Sequence, residues 1–249
     1  MIQWHGAPPT HLSIPQLEAA GVRHAFTTRH HGSFQPVSAP GGAFGSGGGP
    51  ALAALGVAPA TVRVLRQVHG AEWLRADPTG PTVVGTADAL VTLTPGLPLA
   101  VFTADCLAVV LVEPDRRVLA VVHAGWRGTV AGILGRLVGG LAAELGVQPA
   151  RLRVGIGPSI GPCCYEVDGP VVEPLRGAFS EAPRWIRPAG PGRWWLDLWQ
   201  ANTDQLVAAG VPAGAVTNPR LCTSCRRDLF FSYRREGPGR RLATLAVLE

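Results

Sequence analysis

The chain has 249 residues, of which 47% are apolar and 16% are charged, and its formal net charge is +5. This balance is the reverse of the disordered signature and predicts a soluble globular protein that buries a large core without a metal or disulfide scaffold. All 22 basic residues are arginine, which excludes a Schiff-base lysine and a Walker A phosphate loop.

Neither a targeting segment nor a membrane span is expected. The first residues lack a basic region followed by a continuous apolar stretch, and the most apolar segment, residues 97–112, carries Asp105 and Cys106 in its middle. Five cysteines leave one unpaired, and two of them are adjacent, which disfavours a secreted disulfide framework. We therefore expect reduced thiols and a cytoplasmic protein.

The first predicted elements precede a glycine-rich segment. Residues 13–21 are typical of a short helix with Ser13 as N-cap and Pro15 in the first turn, and residues 24–28 of a strand. Residues 41–49 hold six glycines in nine positions, which indicates a flexible surface loop or, alternatively, a mobile flap over an active site.

Later segments alternate between apolar strand-like runs and amphipathic helices. We interpret the chain, residues 1–249, as one domain of the α/β (α+β) class with a mixed sheet. The predicted helices are 130–145 and 197–209, and the predicted strands are 62–68, 88–93, 99–103, 107–113, 118–122, 151–156, 229–234 and 241–248.

Three polar residues follow apolar strands at the point where each predicted strand ends. They are His69, Cys106 and His123, and strand ends can converge on one edge of a sheet. Two histidines and one cysteine suit zinc in an open site with three protein ligands and a water. The pattern is equally compatible with two core histidines and an inert thiol, or with a Cys106 nucleophile that has a histidine base and Asp105 close by.

The other four cysteines allow several interpretations. Cys222 and Cys225 form a CxxC pair that could be half of a zinc site or a redox pair, and Cys163 with Cys164 could supply the rest. Because adjacent cysteines seldom bind one tetrahedral ion comfortably, we favour buried, reduced thiols.

Basic charge is concentrated in residues 220–241, which carry seven arginines against Asp228 and Glu236. Guanidinium groups in such a cluster suit phosphate or another anion, although a solvated surface with salt bridges explains them equally well. Aromatic residues are sparse and no recognition motif accompanies the charge, so nucleic acid is an unlikely partner.

Six ordered motifs resemble the YfiH-type family, which is also called laccase-like or multicopper polyphenol oxidase. The motifs are QVHG (67–70), ADALVT (87–92), TADCLAVVLVEP (103–114), VVHAGWRGT (121–129), GIGPSIGPCCYEV (155–167) and CTSCRRDLFFSYRREGPGRR (222–241). The resemblance implies a single-domain sandwich of mixed β-sheets and helices. It also implies a zinc-dependent purine nucleoside phosphorylase that converts adenosine, inosine, guanosine or methylthioadenosine and phosphate to free base and pentose 1-phosphate, and that deaminates adenosine.

The same resemblance assigns residues. The family's metal ligands correspond to His69, Cys106 and His123, the residues that strand ends already indicated. We expect Arg127, in a glycine turn at the start of a helix, to bind phosphate, and we assign the same role to Arg29, which corresponds to a family arginine. Pairing with a neighbouring carboxylate is the alternative role of Arg127. The N-terminal part diverges, because the family's asparagines near the Gly-rich loop at 41–49 have no counterpart, so the preferred nucleoside is left open.

The sequence is also compatible with two alternatives to the phosphorylase. A copper-dependent polyphenol oxidase would usually need an axial ligand such as methionine, but the only methionine is Met1, and the remaining histidines all precede residue 32. A non-enzymatic zinc protein could instead bind RNA or an acidic partner through the 220–241 cluster. Structural zinc is usually closed by four protein ligands, so three ligands favour catalysis. The sequence does not indicate the oligomeric state.

Overall fold

A computed structural model describes residues 2–34 and 49–249 of the chain. Within these ranges, the strands are β1 Gln3–His5, β2 His11–Ser13, β3 Val22–Thr27, β4 Val64–Arg66, β5 Trp73–Arg75, β6 Val83–Thr86, β7 Ala89–Thr92, β8 Leu99–Thr103, β9 Leu107–Glu113, β10 Val118–Ala124, β11 Arg153–Ile156, β12 Glu166–Val167, β13 Ile186–Gly190, β14 Arg193–Leu196, β15 Val216–Thr217 and β16 Leu242–Leu248. The α-helices are α1 Pro15–Glu18, α2 Gly49–Ala54, α3 Trp126–Val130, α4 Ile133–Leu145, α5 Gly169–Ala178, α6 Leu198–Ala208 and α7 Tyr233–Glu236.

Two large sheets organise these strands, and the predicted mixed α/β class is confirmed. The five-stranded sheet has the order β1-β2-β3-β16-β8 with antiparallel pairs throughout. The six-stranded sheet has the order β15-β11-β9-β10-β7-β5, in which the two outer pairs are parallel and the inner pairs antiparallel. Smaller sheets are formed by β12-β14-β13 and by β4-β6.

The strands of the six-stranded sheet are buried on both faces. In β9, Leu107, Val109 and Leu111 pack in one core with residues of α4 and α6, whereas Ala108 and Val110 pack in a second core with residues of the five-stranded sheet. A strand covered on both faces is a continuous apolar run rather than an alternating one. This is why residues 107–113 could be recognised from sequence.

A third core lies on the outer face of the five-stranded sheet. Ala25, Ala100 and Leu245 of that sheet pack there with Leu52 of α2 and Val64 of β4. The fold is therefore a sandwich of two sheets with helices on both outer sides. Nowhere in the described ranges is a helix long and apolar enough to span a membrane.

Two predicted helices have different bounds in the structure. The first begins at Pro15, and Ser13 is not its N-cap, because Ser13 lies in β2 with its hydroxyl 2.9 Å from His5 Nε2. The helix predicted for 130–145 corresponds to α4, which begins at Ile133 and ends at the predicted Leu145. Gly132, whose φ of 73° is a left-handed conformation, separates α4 from α3, which ends at Val130.

The strand predicted for 229–234 is wrong. Leu229, Phe230 and Phe231 are buried, but Leu229 lies in a turn and the two phenylalanines in irregular backbone, and α7 begins directly after Ser232. The Ser232 hydroxyl accepts a hydrogen bond from Arg235 N, the normal behaviour of an N-cap serine. The predicted loop at 41–49 lies outside the described residues except for Gly49, the first residue of α2.

Candidate metal centre and cleft

The three predicted ligands converge. One ligand atom from each of His69, Cys106 and His123 lies within 4.8 Å of the other two, and the imidazole rings meet edge to face with centroids 4.6 Å apart. The residues do not come from one sheet edge. His69 follows β4, His123 lies in β10, and Cys106 lies in the turn that crosses from the five-stranded to the six-stranded sheet.

A buried carboxylate, Asp88, positions both histidines. Its Oδ1 lies 2.7 Å from His123 Nδ1, so Nε2 is the ring nitrogen left for a metal. The same side chain accepts backbone hydrogen bonds from Val68 (3.2 Å), His69 (3.0 Å) and Gly70 (2.6 Å). Carboxylates behind metal-binding histidines fix the tautomer and the ring orientation. Sequence analysis missed this residue, although it stands within the ADALVT motif directly before β7.

Two residues of the site have left-handed backbone conformations that non-glycine residues seldom adopt. They are His69, with φ of 61°, and Asp105, with φ of 84°. Asp105 is held by its carboxylate, which accepts hydrogen bonds from the Thr223 hydroxyl (2.6 Å), the Ser232 hydroxyl (3.0 Å) and Arg234 N (2.7 Å). Strained backbone of this kind persists where neighbouring contacts fix it.

The HAGWRG turn leaves space for these side chains because it contains glycine. A Cβ on Gly125 would lie 2.9 Å from both Cys106 Sγ and His69 Cδ2, closer than real Cβ contacts. A Cβ on Gly128 would lie 2.9 Å from the carbonyl oxygen of Gly70. Two imidazole nitrogens and one thiolate are zinc ligands, so the donor set and the cradle around it fit a metal ion.

The charges of the site are coupled. Burial alone would raise the pKa of Cys106, but the positive charge of His123 and hydrogen bonds from His123 and His69 lower it to about 6. Burial alone would lower the pKa of His123, but the Cys106 thiolate and Asp88 raise it to about 9. The metal-free site therefore holds a thiolate beside an imidazolium at neutral pH.

These residues lie in a cleft of about 1090 Å³, near the upper limit of typical small-molecule pockets. Aromatic and arginine side chains line it, among them Phe102, Trp126, Arg127, Tyr165, Arg193, Arg234 and Arg241. Burial raises the pKa of Tyr165, which keeps its phenol protonated. His69 is exposed, so the ligand cluster is open on one side.

The two arginines predicted to bind phosphate have different surroundings. Arg127 lines the cleft, with its guanidinium 4.3 Å from the centroid of the Trp126 ring, and it pairs with no carboxylate in the part of the chain that is described. Arg29 does not line the cleft. Its guanidinium donates to Glu236 Oε1 (3.1 Å) and to the Arg227 carbonyl and lies over the Phe231 ring.

The basic cluster at 220–241 is divided between these two kinds of surroundings. Arg234 and Arg241 line the cleft. Four others form ion pairs with carboxylates of the chain itself: Arg220 with Asp197, Arg226 with Asp228, and Arg235 and Arg240 with Glu236. Three carboxylates therefore offset part of the charge of the cluster, and one of them, Glu236, is shared by Arg235, Arg240 and Arg29.

Of the cysteines outside the site, only one is buried. Cys222 has 6% of its surface exposed, whereas Cys163 and Cys225 are exposed and Cys164 is half-buried. The expectation of buried thiols is therefore wrong for Cys163 and Cys225. All five cysteines lie within the described ranges, and all are free thiols.

The fold and the sequence both match a known family of proteins. The sequence model of the multi-copper polyphenol oxidoreductase laccase family matches residues 50–249, and the chain belongs to this family. The crystal structure of the Bacillus licheniformis hypothetical protein YfiH covers 97% of both chains with a TM-score of 0.86 at 30% identity. The resemblance to the YfiH-type family is thereby confirmed.

Named relatives are similar over much of their length. The purine nucleoside phosphorylase YlmD of Geobacillus stearothermophilus is 41% identical over 194 residues, which are 74% of this chain and 71% of that protein. The adenosine deaminase RL5, from an unknown prokaryotic organism, is 42% identical over 154 residues, which are 60% of this chain and 57% of RL5. The crystal structure of YlmD has a TM-score of 0.86 and covers 99% of this chain and 98% of its own.

Replacement of Asp88 by asparagine should weaken metal binding about 10- to 100-fold, because His123 loses the carboxylate that orients it. Competition with a chromogenic chelator at fixed pH measures the affinity. Asp77→Asn makes the same chemical change at an exposed carboxylate outside the cleft and should leave the affinity unchanged. Equal affinity in folded Asp88→Asn and wild type would contradict the role of Asp88.

In metal-free protein, iodoacetamide should alkylate Cys106 with a midpoint near pH 6, because the thiolate exists above its lowered pKa and is protonated below it. Mass spectrometry of the Cys106 peptide gives the rate at each pH. His123→Ala removes the neighbouring cation and should move the midpoint upward. A wild-type midpoint in the ordinary cysteine range, about 8.5, is the contrary result.

Proposed function

We propose that this protein is a zinc-dependent purine nucleoside phosphorylase that also deaminates adenosine. The observation that carries the proposal is the His69–Cys106–His123 cluster, which opens into a cleft that contains arginines and aromatic rings. The names of the relatives, purine nucleoside phosphorylase and adenosine deaminase, support the same substrates for this chain. The cleft volume of about 1090 Å³ is sufficient for a nucleoside and a phosphate together.

Zinc is the metal that we assign to the cluster. His69, Cys106 and His123 would hold it, and three protein ligands leave one coordination position open, as in catalytic zinc sites. When bound there, zinc would supply Lewis-acid chemistry and favour the ionisation of water. Asp88 keeps the ligand nitrogen of His123 aimed at the cluster.

Copper chemistry finds less support in the surrounding residues. A multicopper oxidase needs several histidine-rich sites. Within the described ranges, the metal-ligand groups are the His69 cluster and a group of four cysteines, and neither contains a histidine from before residue 32. Two of those histidines, His5 and His11, stack on each other with ring centroids 4.5 Å apart, and His24 Nε2 accepts a hydrogen bond from Ile14 N.

Phosphorolysis needs an anionic nucleophile placed beneath ribose C1′. We assign Arg127 to phosphate, because it lies four positions after His123, is exposed to the cleft and has no carboxylate partner among the described residues. A guanidinium group binds phosphate oxygens through two parallel hydrogen bonds. Arg234 and Arg241, which come much later in the sequence, add positive charge to the same cleft. The assignment of Arg29 to phosphate stays a prediction.

The reaction makes modest demands on acid–base chemistry. The bond between C1′ and the purine nitrogen breaks with its electron pair going to the purine, a phosphate oxygen forms the new bond to C1′, and the purine takes up a proton. The transition state resembles an oxocarbenium ion, so the protein acts mainly by positioning the phosphate and stabilising charge. Tyr165 stays protonated and offers an O–H donor within the cleft.

Product analysis tests the reaction. Adenosine, inosine and methylthioadenosine are each incubated with the zinc-loaded protein, with and without phosphate, and the products are separated by chromatography. We expect free base and pentose 1-phosphate only when phosphate is present, and inosine from adenosine in both conditions. His123→Ala should abolish both reactions, because it removes a metal ligand. No turnover of any nucleoside would reject the enzyme and favour the non-enzymatic zinc protein.

Arg127→Gln should raise the KM for phosphate about tenfold or more and change the KM for nucleoside little, since it removes a charge-assisted hydrogen bond to the anion alone. Initial rates at varied phosphate and fixed nucleoside give both constants. Arg187→Gln is the matched control, because Arg187 is exposed and does not line the cleft. An unchanged phosphate dependence in Arg127→Gln rejects the assignment.

A further inference from the structure

Four cysteine sulfurs converge at a second place, outside the cleft. One Sγ from each of Cys163, Cys164, Cys222 and Cys225 lies within 4.8 Å of the other three. Cys225 Sγ is 3.4 Å from Cys164 Sγ and 3.5 Å from Cys163 Sγ. None of the four residues lines the cleft, so this group is distinct from the His69 cluster.

The sulfur spacing is that of a tetrahedral metal site. Four thiolates at 2.3 Å from one zinc ion lie about 3.8 Å from one another. The shortest separations here are slightly smaller than this value, and 4.8 Å is the upper limit for the rest. Adjacent cysteines are unusual ligands, but Cys163 and Cys164 both bring their sulfur within reach of Cys225.

Backbone hydrogen bonds hold the two cysteine-bearing segments together. Ser159 and Cys222 form a parallel bridge, in which Ser159 N donates to the Leu221 carbonyl and Thr223 N donates to the Ser159 carbonyl, both at 3.1 Å. Gly161 N donates to Cys222 Sγ at 3.3 Å. A sulfur that accepts a backbone N–H is stabilised as a thiolate, which is the form that binds metal.

We propose that these four cysteines bind one zinc ion as a structural site. A disulfide would use only two of the sulfurs and would bring them to about 2.05 Å, whereas the convergence of all four serves a four-coordinate ion. Four protein ligands close the coordination sphere, unlike the three of the His69 cluster, so no position is left for substrate. Two of the ligands, Cys163 and Cys225, are exposed, which gives the ion access from solvent.

The position of this site gives it a role in shaping the cleft. Tyr165, next to Cys164, lines the cleft, and Thr223, next to Cys222, donates its hydroxyl to Asp105. The Ile160 N–H donates to the Asp105 carbonyl at 2.8 Å. Ile160 and Thr223 thus hold Asp105, the residue before Cys106, and each lies in one of the two cysteine-bearing segments. An ion bound to all four sulfurs fixes both segments.

Zinc stoichiometry tests the proposal without any measurement of nucleoside turnover. Removal of the first site by the double substitution His69→Ala/His123→Ala should leave about one zinc per chain in protein purified without added chelator. Further substitution Cys222→Ser should remove that zinc, whereas Ser224→Ala, in the same turn but without a thiol, should retain it. Cobalt(II) in the double variant should give thiolate-to-cobalt charge-transfer absorption, which Cys222→Ser should lack.

Two further measurements keep the result decisive. If Cys222→Ser fails to fold, as judged by circular dichroism, the exposed Cys225→Ser is used in its place and should also lose the zinc. Mass spectrometry of the unreduced, alkylated wild type shows whether any of the four thiols is oxidised. The proposal is overturned if the double variant holds no zinc when zinc is supplied, if the cysteine variants keep it, or if the native chain carries a disulfide within the cluster.

Discussion

The candidate metal centre depends on one buried negative charge. Asp88 is fully buried, and such a charge is stable only when hydrogen-bond donors surround it. Its donors come from two places, the backbone that carries His69 and the ring of His123. The requirement to satisfy one carboxylate thus joins a turn after the two-stranded sheet to a strand of the six-stranded sheet, and it fixes the distance between two ligands that are far apart in sequence.

A second carboxylate has the same function on the other side of the cluster. Asp105 collects two hydroxyl donors and one backbone N–H from residues more than a hundred positions later. Both carboxylates hold a backbone in the left-handed region, at His69 directly and at Asp105 itself. At these two residues of the site, the contacts that sustain the strained backbone come from segments distant in sequence.

Sequence reasoning was most successful where a single local feature of the sequence is sufficient to predict the structure. The strands at 99–103 and 107–113 are doubly covered apolar runs, and the structure reproduces their bounds. The convergence of the three candidate ligands was predictable because cysteine and histidine are few and each candidate stands beside a strand end. The role of Asp88 was not predictable, because it depends on donors from other elements. Residues 229–234 were mistaken for a strand because buried aromatic residues also occur in irregular backbone. The division into two large sheets likewise depends on pairing between distant strands.

The strand order of the five-stranded sheet determines when its strands can pair during synthesis of the chain. β16 lies between β3 and β8 and pairs with both, so neither has its inner neighbour until this late segment has left the ribosome. Ser232 and Arg234, which donate to Asp105, are translated just before it. Until residues 223–248 have been made, β8 therefore lacks its β16 neighbour, and Asp105 lacks the donors that Thr223, Ser232 and Arg234 supply. The last strand pairings of this sheet and the last hydrogen bonds to Asp105 both join residues far apart in sequence, the kind of long-range pairing that makes β-rich folding slow.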